Sequence, residues 1–384
     1  KKNGVPIVYA TVGVEGTSIG SITNQAGEFR LHLADSLRRK SLVFSHVGYM
    51  AQKIDIPLLT AGQHFTLTLE PRIFPLQEVV IRVVHPIRLM REMLEKRMIN
   101  YSQKPVYFTT FYREGVQYKQ KFRSLTEAVF KIYKSPVQSL YAREQVKLLK
   151  MSRITDGLEQ DTLIARMSGG IDACLQLDII NHLPDFLLAD AHKDVYAYTS
   201  ADVTIVGDHL VNVISFEQKK EVKEPLYCGE LYIDSDNGAL LQAQIRIHPR
   251  YMKQATDMVV QRQARRMKIV LQELTYTISY KPWNGTYYIN HVRGDLHFKV
   301  KQKRQWLGSS SLHTWFEMVT CKIDTVGVTR FQRNERIPTR TVFADTHFKY
   351  DSDFWENFNV IPWEKQLVEV IEQLTSKIEK IEYE

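Results

Sequence analysis

The feature that most constrains this chain is its run of long, strand-like segments joined by tight turns. Leu226–Asp234 and Ala239–His248 flank Ser235-Asp236-Asn237-Gly238, while Met267–Lys281 and Thr286–Lys303 flank Pro282-Trp283-Asn284-Gly285. Connections this short join antiparallel neighbours, because a parallel pair needs a crossover of about a dozen residues or more. Val106–Val116 with Phe122–Tyr133 reads as an earlier hairpin. Leu148–Arg153, Val195–Thr199, Val203–Val206, Leu210–Gln218 and Leu312–Asp324 continue the series. The expected fold is mainly β, with a large antiparallel meander as its main body.

Residues 5–83 share this character on a smaller scale. Val8–Val14, Ser18–Thr23, Glu28–Leu33, Leu42–His46, Gln52–Ile56, Phe65–Leu69 and Glu78–Val83 are short, and Asn24-Gln25-Ala26-Gly27 suits a type I turn. This spacing predicts a β-sandwich. At Pro86–Asn100 the period changes: Ile87, Met90, Met93, Leu94 and Met98 recur at helical spacing, with Pro86 in the first turn. A helical or irregular stretch is expected at 171–188. Leu367, Ile371, Leu374, Ile378 and Ile381 predict a C-terminal helix packed on the sheet. The chain thus divides into a small β domain at 1–84, a linker helix at 85–105 and a large β domain at 106–384.

Composition narrows the function classes. The 384 residues are 44% hydrophobic and 24% charged, a globular balance with room for two or three cores. No apolar run reaches the ~18 residues of a membrane-spanning helix. The net charge of +8 is spread thinly, without a polybasic tail or Arg-rich helix, so no nucleic-acid partner is expected. Cys174, Cys228 and Cys321 stand far apart and read as buried free thiols, with one disulfide the alternative in an oxidising compartment. The chain opens almost directly on strand-like sequence, so an export signal removed ahead of it is expected.

Gly16-Thr17-Ser18-Ile19-Gly20-Ser21-Ile22-Thr23-Asn24, Gly27-Glu28-Phe29-Arg30-Leu31, Leu42-Val43-Phe44-Ser45-His46-Val47-Gly48-Tyr49 and Leu76-Gln77-Glu78-Val79-Val80-Ile81 resemble the carboxypeptidase-D regulatory-like family across residues 4–83. The resemblance implies a transthyretin-like β-sandwich of Gram-negative envelope proteins, found ahead of some TonB-dependent receptors. The family's opening Gly-x-Val strand has no counterpart, so the sandwich is expected to lack its first strand. Phe111-Tyr112-Arg113-Glu114, Glu127-Ala128-Val129, Tyr287-Tyr288-Ile289, Val292-Arg293-Gly294 and Asp353-Phe354-Trp355 resemble the uncharacterised region that follows this domain in envelope proteins. That region brings no known activity. At fold level only, the meander resembles the curved half-barrel of lipoprotein carriers of the LolA and LppX type.

Catalytic motifs are weighed and set aside. None of the twelve histidines has Glu three residues later, the pair that the zinc peptidases need. His313 and Glu317 would be separated by roughly 13 Å along a strand. Gly16-Thr17-Ser18-Ile19-Gly20 matches a nucleophile elbow formally, but a strand rather than a helix follows it. Asp234-Ser235-Asp236-Asn237-Gly238 begins like a calcium loop but has Ile245 where the bidentate Glu belongs, so a hairpin turn is expected. Lys299, Lys301 and Lys303 read as a solvated face, with contact to anionic lipid headgroups as the alternative. No cofactor and no metal is expected.

Two sets of residues stand out. Arg113 and Glu127 each interrupt an apolar stretch and are expected to pair across their hairpin, unless a one-residue change in the turn sets Tyr112 opposite Glu127. Strand alternation gives apolar rows at Leu231 and Ile233; Leu241, Ala243, Ile245 and Ile247; and Ile269 and Leu271, with Glu273, His291 and Arg293 interrupting the later rows. A pocket floored by Leu231, Ile233, Ile245 and Ile247, with Arg293 at its rim, would accept an acyl chain and its anionic head. The alternative is that these rows pack beneath helices. The function expected is therefore that of a non-enzymatic cell-envelope protein binding a lipidic ligand or a protein partner, or docking on an outer-membrane complex.

Overall fold

The computed structural model describes residues 4–59, 64–71, 85–138, 144–155, 166–167, 170–262, 267–302, 309–339, 358–363 and 367–368. The fold is mainly β, a small sheet followed by a ten-stranded antiparallel one. The small sheet comprises β1 (Thr11–Val14), β2 (Gly20–Ile22), β3 (Ser41–Ser45) and β4 (Gln52–Asp55), in the order β2-β1-β3-β4. Val12, Val14, Leu42 and Phe44 fill its core, and Phe29 and Phe65 meet Phe44 edge-on at 5.4 and 6.4 Å between centroids. Glu28–Leu33 and Phe65–Leu69, expected as strands, pack their apolar side chains against this core without joining a ladder. At the turn between β2 and Glu28, the Gly27 amide donates to the Asn24 carbonyl (3.0 Å) and Gly27 takes φ +70°. The Glu78–Val83 strand lies outside the described residues.

The predicted helix forms as α1 (Pro86–Glu95) and α2 (Arg97–Asn100), broken at Lys96. Leu89, Met90 and Met93 are buried, each such side chain contributing about 1.5–3 kcal/mol, whereas Met98 lies past the break and is exposed. The large sheet opens with β5 (Val106–Tyr118), β6 (Lys121–Lys134) and β7 (Gln145–Thr155). β8 (Arg166–Met167) and α3 (Gly170–Gln176) follow, then β9 (Tyr196–Val206), β10 (His209–Gln218), β11 (Tyr227–Asp234) and β12 (Leu240–Ile247). After α4 (Thr256–Val259) come β13 (Val260–Arg262), which pairs only with β8, and β14 (Met267–Trp283), β15 (Thr286–Gln302) and β16 (Ser310–Asp324). Across the sheet the order is β7-β6-β5-β16-β15-β14-β12-β11-β10-β9. The seam β5–β16 therefore joins strands nearly two hundred residues apart and closes the early hairpins onto the later meander.

Bulges decide which side chains share a face. Gln272 is extra in β14 and Asn290 is extra in β15. Before the first bulge Ile269 and Leu271 face the core, and beyond it Leu274, Tyr276 and Ile278 do, which turns Glu273 out to solvent. In β15 the Asn290 bulge leaves Ile289 facing with Tyr280, while His291 and Arg293 face the other way. One face is a continuous apolar core beneath α1 and α3. The small sheet and residues 358–363 cover much of the other, where Ile22 packs with Phe111, Val129, Val319 and Ile361. Of the predicted terminal helix, Leu367 packs with Leu125, Ile154 and Trp315, and Ile371–Ile381 lie outside the described residues.

Gly115 makes room for an aromatic across the seam. A Cβ there would lie 2.6 Å from the Trp315 ring, which packs over Arg293 at 4.8 Å. Gly115→Val is expected to displace Trp315 and cost about 1–3 kcal/mol. Urea unfolding followed by tryptophan fluorescence checks this; an unchanged midpoint and emission maximum would contradict the packing.

Candidate functional site

Directly opposed residues on antiparallel neighbours point to one face of the sheet. One such row runs Glu127 on β6, Arg113 on β5, Glu317 on β16 and Arg293 on β15. The four alternate in sign, and none is more than 4% exposed. The β5–β6 turn takes positive φ at Lys119 and Gln120, and the extra residue Arg123 then shifts the register. That bulge sets Arg113, rather than Tyr112, opposite Glu127.

The contacts are close. One Glu127 oxygen accepts from Arg113 Nε (2.7 Å) and from the Trp363 indole (2.7 Å), and lies 2.6 Å from Arg113 Nη2. Arg113 Nη2 also donates to the Ile361 carbonyl, and Arg113 Nη1 lies 3.6 Å from Glu317. Glu317 accepts from Arg293 Nη1 (3.3 Å), and Arg293 grips Asp295 with two bonds of 2.7 and 2.9 Å. His313 Nε2 reaches Asp295 at 3.2 Å, and His313 stacks on His297 at 4.0 Å. The Arg293 guanidinium lies over the rings of Trp315 (4.8 Å) and Tyr9 (5.5 Å).

Protonation follows from these contacts. Burial alone would raise the Glu317 pKa, but His291, Arg293 and Arg113 together bring it below the usual glutamate value. Asp295 is likewise opposed by burial but held well below the carboxylate range by His313 and Arg293. Burial pushes His291 down despite Glu317, whose carboxylate is 3.9 Å away, so the imidazole is held neutral. The ladder therefore stores fixed, compensated charge rather than presenting an acid–base pair to solvent.

Residues 1–81 match the CarboxypepD_reg-like domain. None of the curated proteins compared matches the chain in sequence. Among solved structures, the chain is similar to a DUF1329 family protein from Desulfovibrio piger at 11% identity, covering 64% of this chain and 96% of that one with a TM-score of 0.27. It is also similar to a domain from Vibrio parahaemolyticus assigned to outer membrane lipoprotein sorting (9% identity, 64% and 94% covered, TM-score 0.26). A third similarity is to a chain of the Pseudomonas aeruginosa MucA/MucB complex (12% identity, 63% and 99% covered, TM-score 0.19).

The CarboxypepD_reg-like module meets the sheet through polar clamps. Ser18, the serine of the formal elbow motif, donates to the Ile323 carbonyl (2.9 Å) and accepts from the Ile323 amide (3.0 Å). It thus extends the edge of β16 rather than acting as a nucleophile. Asn290, at its bulge, donates to Thr11 (3.1 Å), and Asn24 donates to the Pro362 carbonyl (3.1 Å). Lys281 brings its ammonium to the carbonyls of Thr320 (2.9 Å) and Ser18 (3.4 Å), and burial pushes its pKa down to about 8.

The structure brings the four apolar residues expected to floor a lipid pocket together, but inside a packed core and apart from Arg293. Leu231, Ile233, Ile245 and Ile247 are at most 2% exposed and lie in the core on the helix-covered face. Arg293 shares its row with Thr277, whereas Ile245 pairs with Tyr276, so the arginine projects from the opposite side of the sheet. The Asn290 bulge is the physical reason, because it reverses alternation between Ile289 and His291. Sequence reasoning missed Glu317 and Asp295 as partners of Arg293, and His313 behind Asp295, although the period-two row His291, Arg293, Asp295, His297 is visible in the sequence. His209, Asp234 and Asp236 come close enough to hold a metal. The Asp234 carboxylate, however, already accepts from the Asp236 amide (2.8 Å) and contacts His209 Nδ1 (2.7 Å), consistent with a hairpin turn.

Two outcomes follow. Arg113→Met leaves Glu127 and Glu317 buried with reduced compensation and is expected to cost about 3–5 kcal/mol, while Arg113→Met with Glu127→Leu recovers part of that loss. A double-mutant cycle by denaturant unfolding measures the coupling; additive losses would contradict direct pairing. Lys281 has a folded pKa near 8 against an unfolded value near 10.4, so folding releases its proton between those values and stability attributable to Lys281 rises with pH there. Lys281→Met is expected to gain relative to the parent below pH 8, with the difference shrinking toward pH ~10; a pH-independent difference would contradict the enclosed ammonium.

Proposed function

We propose that this protein is a non-catalytic component of the cell envelope that works by binding a protein partner, with the CarboxypepD_reg-like module and the ten-stranded sheet acting as one docking unit. One observation carries the reading: the polar groups that most resemble a reaction centre are paired with each other beneath that module. The resemblance of residues 4–83 to a domain of envelope proteins supports the location.

The packing favours a partner over a stored lipid. The apolar rows are filled from beneath by helix side chains such as Met90, Met93 and Ile171. A partly open cavity bordered by Tyr101, Lys134, Asp178 and Tyr280 holds about 30 Å³, room for about one water and far too little for an acyl chain. The outer edge of β9 offers a place for a partner. β9 ends the sheet, and Thr199, Ser200, Ala201 and Asp202 are exposed there. Among the described residues its far end is tied down by the Val47–Val206 bridge and the Gly48 amide on the Ile205 carbonyl (2.7 Å), and its start by the Tyr196 amide on the His192 carbonyl (2.9 Å). Between these ends, no described residue pairs with the outer backbone groups of β9, where an extended segment from a partner could add as a strand.

Fractionation of the native host and a photo-crosslinker at Ser200 test this together, with a crosslinker at the exposed Lys299 as control. The expected result is an envelope location and one discrete adduct at Ser200 that Lys299 does not give. Cytosolic recovery or equal adducts at both positions would overturn it.

A further inference from the structure

A separate cavity lies where the segment after β16 returns past the start of β7. Arg330, Arg333 and Arg336 line an open cavity of about 480 Å³ together with Glu144, Gln145 and Ile337, a volume within the range of small-ligand sites. The three guanidiniums are exposed, and no carboxylate pairs with any of them among the described residues. The lining carboxylate, Glu144, is already committed. It lies 2.7 Å from Lys134 Nζ, with His182 3.5 Å away, and is held ionised well below the usual range by these partners despite its burial. The local balance at the cavity is therefore strongly positive.

The arginines also sit on a segment that is tied down before any ligand arrives. Phe331 stacks on Tyr107 at 5.3 Å, its amide donates to the Gln145 side chain (2.7 Å), and Tyr107 accepts from the Thr329 amide (3.0 Å). Farther along, Glu335 bridges to Lys147 (2.7 Å) and the Ile337 amide donates to the Val146 carbonyl (2.9 Å). Arg330 is steadied over the Tyr133 ring at 5.9 Å. Fixing the backbone beforehand lowers the ordering cost of binding. A carboxylate occupies one guanidinium fork, whereas a phosphate group, with more charge and more terminal oxygens, can engage several.

We propose that the pocket formed by Arg330, Arg333 and Arg336 binds a phosphate group, supplied either as free phosphate or by a lipid headgroup. The test uses the full chain at constant ionic strength. Inorganic phosphate and succinate are titrated by calorimetry, and flotation compares vesicles of phosphatidylcholine with and without phosphatidic acid. Phosphate, phosphatidic acid vesicles or both should bind, succinate should bind more weakly, and R330Q/R333Q/R336Q should weaken binding by about tenfold or more. An unchanged circular dichroism spectrum and melting temperature without ligand establish that the exposed substitutions leave the fold intact. Vesicle binding that inorganic phosphate displaces identifies a headgroup; phosphate binding without flotation identifies the free anion. Binding of neither, succinate binding as tightly as phosphate, or full binding by the triple variant would overturn the proposal.

Discussion

The alternating row Glu127, Arg113, Glu317 and Arg293 is the constraint on which much of the rest depends, because it crosses the β5–β16 seam. Elsewhere in the large sheet, except around the β12–β14 step, neighbours are also neighbours in the chain, and short turns help set their register. At the seam no turn does so, and the pairing must be specified by side chains. A slip of one residue at the seam would carry Arg113 and Glu127 together onto the apolar face, with Arg113 opposite Phe316 or Met318, and leave Glu317 buried without Arg113, several kcal/mol in the wrong direction. The ladder need not add net stability, since well-packed apolar residues of similar volume can match or exceed a buried ion array. Its value is that the wrong register is costly.

The same row explains why the CarboxypepD_reg-like module sits where it does. Buried charges strengthen as water is excluded, and this exclusion comes from Tyr9 of the module and from Ile361 and Trp363 near the C-terminus. Module, seam and terminal segment are thereby coupled: loosening one hydrates the others. The Ser18 hydroxyl adds two hydrogen bonds to the Ile323 main chain, and Asn290 at its bulge adds one to Thr11. The pairing of β5 with β16 also has large sequence separation, which raises the loop-closure cost of forming it.

Much of the strand content was legible because turn chemistry and alternation are local. Asn284-Gly285 takes positive φ at both residues, as a two-residue hairpin between twisted strands requires, and β14 and β15 extend from it. The helix at Pro86 was legible from the spacing of Met90 and Met93. The candidate pocket was not, because Gln272 and Asn290 carry no local mark of being extra residues. A strict period of two runs through them and places Glu273 and Arg293 on the wrong faces. The expected strands at Glu28–Leu33 and Phe65–Leu69 failed for a related reason: apolar patterning reports burial, whereas joining a ladder also needs a neighbour at hydrogen-bonding distance.

The sequence by itself determined the β class, the change to helix at Pro86 and the hairpin turns, since each rests on residues close in the chain, and it left Arg113 and Tyr112 as alternatives opposite Glu127 until the Arg123 bulge decided between them. Tertiary structure alone decided that Glu317 and Arg293 extend the pair of Arg113 and Glu127 into a ladder, that a serine in an elbow-like motif serves as a clamp on Ile323, and that three arginines near the end of the last strand surround one cavity. Those arrangements depend on which distant strands meet, on bulges that reverse a face, and on which surfaces exclude water. They are sums over the whole packed molecule, and no window of the chain contains them.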